Sequence, residues 1–240
     1  VFLPAYPEAR RMLEYESLDL RPFRSGVLVR RGGEFHRLAA PFGGSGHPVK
    51  QMLEAARSVV GPPGELRDRA ALLRLVLRVR RTPLAEIFAA PETSTAAYLR
   101  DAGFTQDFVD AVLRPFFAGV FLDRRLETSS RMVEFTLKMF ARGGAALPAR
   151  SMEAIPEQLA AGLPEGTVRT GARVEGIEGG GVSLDDGARV PADAVVVAVE
   201  GPEAARLLDE RWVRGERTTR CLYFASPRPP VDEGILVLNG

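Results

Sequence analysis

The sequence predicts a chain of mixed α/β class, α+β when its own residues are taken alone, and three observations carry that expectation. From Val49 to about Arg142 apolar residues recur at helical spacing, and each restart is preceded by a residue suited to an N-cap. Between Thr167 and Val190 the pattern changes to short alternating runs divided by Gly and Asp-Gly turns. From Asp193 to Val199 a continuous β-branched run follows, as expected of a strand covered on both faces.

In chain order, Pro7 with Ala9, Met12 and Leu13 predicts a short helix, because proline costs little in a first turn. Val27-Leu28-Val29-Arg30 and Phe35-His36-Arg37-Leu38 flank Arg31-Gly32-Gly33-Glu34 and predict a hairpin. The glycine-rich stretch Pro41 to Pro48 precedes the helical region. That region is broken at Gly61-Pro62-Pro63-Gly64, Thr82-Pro83, Pro91 and Gly103. Thr93 or Ser94, Thr105, and Ser129 or Ser130 are its N-cap candidates, and Gly143-Gly144 ends its last helix. A helix from Ser151 follows, with Ile155, Leu159 and Leu163 on its apolar face. The β-rich stretch reads as strands at 167–169, 173–177, 181–184 and 188–190. Beyond the run at 193–199, a helix at 203–208 and strands at about 217–225 and 234–238 complete the chain.

Composition narrows the function classes. The 240 residues are 45% hydrophobic and 26% charged, with 32 Lys+Arg against 31 Asp+Glu, so the formal charge is +1. No long-range field therefore favours nucleic acid or an anionic membrane. Only Lys50 and Lys138 are lysines, and the arginines are scattered at positions expected to face solvent. The single cysteine, Cys221, cannot form an internal disulfide and sits in an apolar alternation expected to bury it, which suggests a cytoplasmic protein. No apolar run reaches the roughly 18 residues of a membrane span, and no basic-then-apolar leader is present. A peripheral membrane contact remains compatible with the sequence, and oligomeric state is left open. The chain opens on Val1 and stops at Gly240 after a strand-like run, so both edges read as cut from something longer.

Sites built on specific side chains are poorly served. His36 and His47 are the only imidazoles, no serine sits in a Gly-x-Ser-x-Gly elbow, and Cys221 has no histidine beside it. One cysteine and two separated histidines give no metal spacing, and Asp185-Asp186 belongs to a turn. Gly43-Gly44-Ser45-Gly46 and Gly179-Gly180-Gly181 lack the strand before and helix after that a phosphate cradle needs. No catalytic residues can be assigned and no metal is expected.

What remains is an order of segments. Gly171-Ala172-Arg173-Val174-Glu175-Gly176-Ile177, then the Asp186-Gly187 turn, then Val190-Pro191-Ala192-Asp193-Ala194-Val195-Val196-Val197-Ala198 resembles the middle of the FAD domain in flavin amine oxidases, protoporphyrinogen oxidases and phytoene desaturases. Gly143-Gly144 through Met152-Glu153-Ala154-Ile155 is similar to that family's Gly-Gly-Met loop and helix, although Ala149-Arg150-Ser151 stands where glycines are expected. Leu113-Arg114-Pro115-Phe116-Phe117-Ala118-Gly119-Val120-Phe121 resembles the helical substrate-side segment of its desaturase-like members.

The resemblance implies a partial FAD-binding lobe at 143–213, a helical substrate lobe at 41–142, and an antiparallel substrate-domain sheet from 1–40 and 214–240. It implies FAD as cofactor, with Val174 meeting adenine through its backbone and Ala198 and Val199 bordering the nucleotide. Phe116, Phe117 and Phe121 are candidates for an apolar pocket, beside the plainer reading of a helix core. The implied reaction is dehydrogenation of a small amine or apolar molecule by hydride transfer to flavin. A binding or assembly module on a degenerate flavoenzyme scaffold is the alternative. The Gly-x-Gly-x-x-Gly turn and the carboxy-terminal Gly-Asp segment are not among these residues, so the chain alone is expected to hold FAD weakly or not at all.

Overall fold

The computed structural model describes residues 1–38, 64–210 and 217–239. The glycine run at 43–46, His47, Lys50 and the start of the helical region at Val49 lie outside them. The chain divides into two compact units, Val1–Leu159 with Leu222–Gly240, and Ala160–Cys221. The described elements are helices with antiparallel and mixed sheets.

The first unit begins with α1 (Pro7–Met12) and α2 (Tyr15–Leu18). β1 (Leu20–Pro22) pairs antiparallel with the distant β4 (Ala146–Pro148). The expected hairpin forms from β2 (Val27–Arg31) and β3 (Glu34–Leu38), with Val29 opposite His36. Gly32 and Gly33 take φ of 60° and 89°, which the reversal requires and a Cβ would oppose. β8 (Leu236–Asn239) lies parallel on the other side of β2, giving the order β3-β2-β8, so this sheet is mixed where an antiparallel one was expected.

The helices follow: α3 (Leu66–Arg81), α4 (Leu84–Ala89), α5 (Thr95–Asp101), α6 (Gln106–Phe108), α7 (Arg114–Phe121), α8 (Ser130–Gly143) and α9 (Ala154–Ala161). Ser94, Thr105 and Ser129 cap α5, α6 and α8 with their hydroxyl oxygens. Between α6 and α7 the chain widens into a π-helical turn, Val109–Leu113, where the Arg114 N–H donates to the Val109 carbonyl. Pro115 explains it. Proline has no N–H for the carbonyl four residues back and its ring collides with that carbonyl, and a wider turn relieves both.

Val29 and Leu238 from the sheet meet Ala71, Leu75 and Val79 of α3, Leu99, Phe108, Phe117 and Val133 in one core. A smaller cluster joins Leu3 and Ala5 to Met139. Gly143 is needed there for proximity, because a Cβ on it would lie 2.9 Å from both the Cβ and the backbone N of Ala5. One buried charge is held entirely by backbone. The Lys138 ammonium, 1% exposed, donates to the carbonyls of Val79 (2.7 Å), Arg80 (3.1 Å) and Thr82 (2.6 Å), closing the end of α3. Burial lowers its pKa, and nearby Arg142 adds to the effect.

The second unit holds β5 (Val174–Glu178), β6 (Gly181–Leu184) and β7 (Arg189–Pro191) in sequential antiparallel order, followed by α10 (Gly201–Leu207). The Asp-Gly turn forms as expected, and the Gly187 N–H donates to the Leu184 carbonyl at 3.0 Å.

Several local expectations are corrected. Residues 193–199 form no ladder with any described residue, and Val196 is 89% exposed. The β-branched run has the intrinsic preference for a strand, but a strand exists only through neighbours, and none is placed beside it here. The same holds at 167–169 and 217–225, where Tyr223 is 92% exposed. Cys221 is exposed rather than buried, because the alternation around it has no sheet to face. The helix expected from Ser151 starts at Ala154 and leaves Leu159 and Leu163 exposed.

Candidate functional site

In the second unit the strand start that carries Val174 is tied to the helix that follows Ala198 and Val199. β5 is an edge strand, with Val174 opposite Leu184 and a bulge between Val174 and Gly176. Arg206 of α10 donates from Nη2 to the Val174 carbonyl (3.1 Å) and from Nη1 to the Glu175 carbonyl (2.8 Å). Its Nε and Nη2 also grip Glu203 one helical turn back, at 2.8 and 2.6 Å. That fork matches a planar guanidinium to a carboxylate and two carbonyls at once. The hydrogen bond from Arg206 holds the Glu203 carboxyl below the usual carboxylate range.

Ala198 and Val199 are exposed and lie outside any strand, and they lead directly into Glu200, the residue that precedes α10. The arrangement offers a flat ligand two kinds of surface. One is strand-edge backbone at Val174, whose carbonyl oxygen keeps a second lone pair beyond the bond from Arg206. The other is the apolar strip of Val195, Val196 and Val199, exposed by 39%, 89% and 50%. These groups suit the ring end of a nucleotide. They do not suit its phosphates, since Pro202 in the first turn of α10 removes one of the N–H donors an anion needs. Fit is therefore partial, and confined to the purine end.

In the first unit the structure gathers Phe116, Phe117 and Phe121 on α7. Phe117 is fully buried in the core, stacked on Phe121 (5.4 Å between centroids, 15° between planes) and edge-on to Phe116 (5.1 Å, 74°). Phe116 also meets Phe140 edge-on at 5.4 Å. Phe117 is thus core. The other two rings are part-buried against the core.

Sequence reading did not single out a second feature of this unit, a shallow cavity of about 260 Å³ lined by Ala71, Arg74, Leu75, Arg78, Tyr98, Asp101 and Ala102. At its wall the Tyr98 hydroxyl donates to Glu134 at 2.5 Å, and Arg78 reaches both Tyr98 and Glu134. Burial raises the tyrosine pKa, against the opposing pull of Arg78, so Tyr98 stays a proton donor at neutral pH. Arg78, Tyr98 and Glu134 come from α3, α5 and α8, and no local pattern announces such a meeting. Arg206 was more legible, three residues after Glu203 on an expected helix.

Comparison with known proteins agrees with the segment order. The family model for flavin containing amine oxidoreductases matches residues 1–220. No curated protein matches the chain.

Proposed function

The chain belongs to the flavin containing amine oxidoreductase family, and we propose that it contributes the adenine-facing edge and the substrate-side helices of an FAD-dependent dehydrogenase acting on an amine or apolar substrate. One observation carries the reading. The segment order that the family match spans converges, in the second unit, on an open strand edge at Val174 braced to the helix after Ala198 and Val199.

In this reading Val174 offers backbone to the adenine edge, and Ala198 and Val199 supply an apolar border that excludes water from one ring face. Arg206, itself oriented by Glu203, keeps the strand start and the helix in register. Bound flavin would supply the hydride acceptor. Phe116 and Phe121 give the substrate side an apolar aromatic surface, with Phe117 as their buried support. Tyr98 and Glu134 offer a fixed hydrogen-bond pair in the same unit, without an assigned catalytic role.

The experiment is purification of the longest product of the reading frame containing these residues, with FAD supplied during expression. A yellow protein whose flavin bleaches anaerobically with an amine or an apolar donor is the expected result. A product that folds but takes up no FAD overturns the proposal and returns the scaffold to a binding or assembly role.

A further inference from the structure

The shallow cavity between α3 and α5 has a chemistry that the redox reading leaves unused. Its floor is apolar. Ala71 and Leu75 of α3 are buried, Ala102 at the end of α5 is part-buried, and the Tyr98 ring stands beside them. Arg74 and Arg78 lie one helical turn apart on α3 and so reach the same rim. A volume of about 260 Å³ falls just below the range of sites for drug-sized ligands, and suits a molecule of roughly ten non-hydrogen atoms.

The two arginines differ in what they have left to offer. Both side-chain hydrogen bonds of Arg78 leave from Nη2, to Tyr98 and to Glu134, so Glu134 balances its charge while Nη1 and Nε keep N–H donors to spare. Its guanidinium also lies over the Tyr98 ring, 5.6 Å from the centroid. The Arg74 side chain makes no hydrogen bond or ion pair with another described residue. Its Nη2 stands 4.0 Å from where a Cβ on Gly103 would lie, so the guanidinium crosses from α3 to the end of α5. The acid at the rim, Asp101, is exposed and lies 3.8 Å from Arg100, which offsets part of its charge.

An apolar floor under one uncommitted guanidinium, with further N–H donors beside it, is complementary to a small molecule that has an apolar body and a single carboxylate, because a guanidinium fork meets a carboxylate in its own plane. An ammonium would meet two arginines at the same rim, and Asp101 weighs against a second negative charge. We propose that this cavity is a binding site for a small apolar monocarboxylate, with the carboxylate on Arg74 and the spare N–H groups of Arg78, and the body on Ala71, Leu75 and Ala102. The site shares no residue with the nucleotide edge at Val174, Ala198 and Val199, so it stands or falls apart from the redox reading.

Titration of the full chain, labelled with carbon-13 at its alanine and leucine methyls and followed by NMR, tests it. The probes are phenylacetate and its neutral counterpart phenylacetamide, with no flavin added. Phenylacetate is expected to shift the methyls of Ala71, Leu75 and Ala102 with a Kd on the order of 1 mM, as a shallow site allows a ligand of this size. Phenylacetamide should bind about fivefold more weakly. Arg74→Gln, at an exposed position, should weaken phenylacetate about fivefold, leave phenylacetamide unchanged, and keep the methyl spectrum of the free protein. Asp101→Asn should tighten phenylacetate by up to about twofold. Equal binding of the two probes overturns the proposal, as does phenylacetate binding that Arg74→Gln does not weaken. Cavity methyls that stay in place under a large excess of phenylacetate overturn it too. Weaker phenylacetate binding by Asp101→Asn would contradict the assigned charge preference and also overturns it.

Discussion

Replacing Asp68 with alanine should release the helix that carries the aromatic cluster. The carboxylate is 0% exposed and accepts three hydrogen bonds, from the Thr105 N–H (2.7 Å), the Thr105 hydroxyl (2.9 Å) and the Glu65 N–H (2.8 Å). Thr105 in turn caps α6 by accepting from the Phe108 N–H at 3.1 Å, and the chain runs from there through the π-helical turn into Phe116 and Phe117. Removing Asp68 therefore strips the start of α3 and unsettles the start of α6 together.

The Glu65 N–H is part-buried and can turn to water, but the two Thr105 donors lie in the interior. At about 1–3 kcal/mol for each buried donor left unsatisfied, plus a smaller loss at Glu65, the expected cost is about 3–5 kcal/mol. Thr105→Val alone should cost about 1–2 kcal/mol, because it removes the hydroxyl and leaves the backbone donor in place. The double variant should fall short of the sum by about 1 kcal/mol or more, since both changes break one network. Urea unfolding followed by far-ultraviolet circular dichroism measures all three. Strict additivity, or a loss under about 1 kcal/mol for Asp68→Ala, would refute the reasoning.

Lys138→Met should cost about 2–4 kcal/mol in the same assay, because the carbonyls of Val79, Arg80 and Thr82 lose their shared donor at the end of α3. Its pH behaviour has a definite sign. Burial depresses the folded pKa of Lys138, so the unfolded chain binds the proton more readily up to about pH 10.4 and folding gains stability as pH rises through that window. The gap between wild type and Lys138→Met should therefore widen with alkalinity; a gap that narrows would contradict the assigned cause. On the acid side, Asp107 is held low by its hydrogen bonds to Arg31, and Asp110 by those to Gln106 and then Arg114. Their contribution is present above about pH 4 and lost as pH falls through the depressed values. Both pairs are exposed, so Asp107→Asn with Asp110→Asn should flatten the acid limb only slightly, and a large flattening in an acid titration would show these pairs to be shielded from solvent.

Features written in neighbouring residues were legible. Gly32-Gly33 announces the hairpin, Ser94, Thr105 and Ser129 announce helix starts, and Gly143-Gly144 announces a helix end, because each acts within a turn of its own position. Features that depend on distant partners were not. Nothing near Leu20–Pro22 points to Ala146–Pro148, and nothing in Arg78 points to Glu134. The run at 193–199 shows the limit from the other side, with strand preference in its four valines and no ladder among the described residues. For the candidate site, Val174, Ala198 and Val199 are expectations from segment order alone, while the Arg206 fork that ties Val174 to α10 depends on packing and had to be seen.

The most direct test of the central claim is photolabelling of the 240-residue chain with 8-azidoadenine FAD in large excess, followed by peptide mapping. Excess is needed because the chain alone should hold FAD weakly. Label that FAD displaces, concentrated around Val174 to Gly176 and at Ala198–Val199, is the predicted result. Displaceable label confined to the helices between Leu66 and Gly143 would contradict the account.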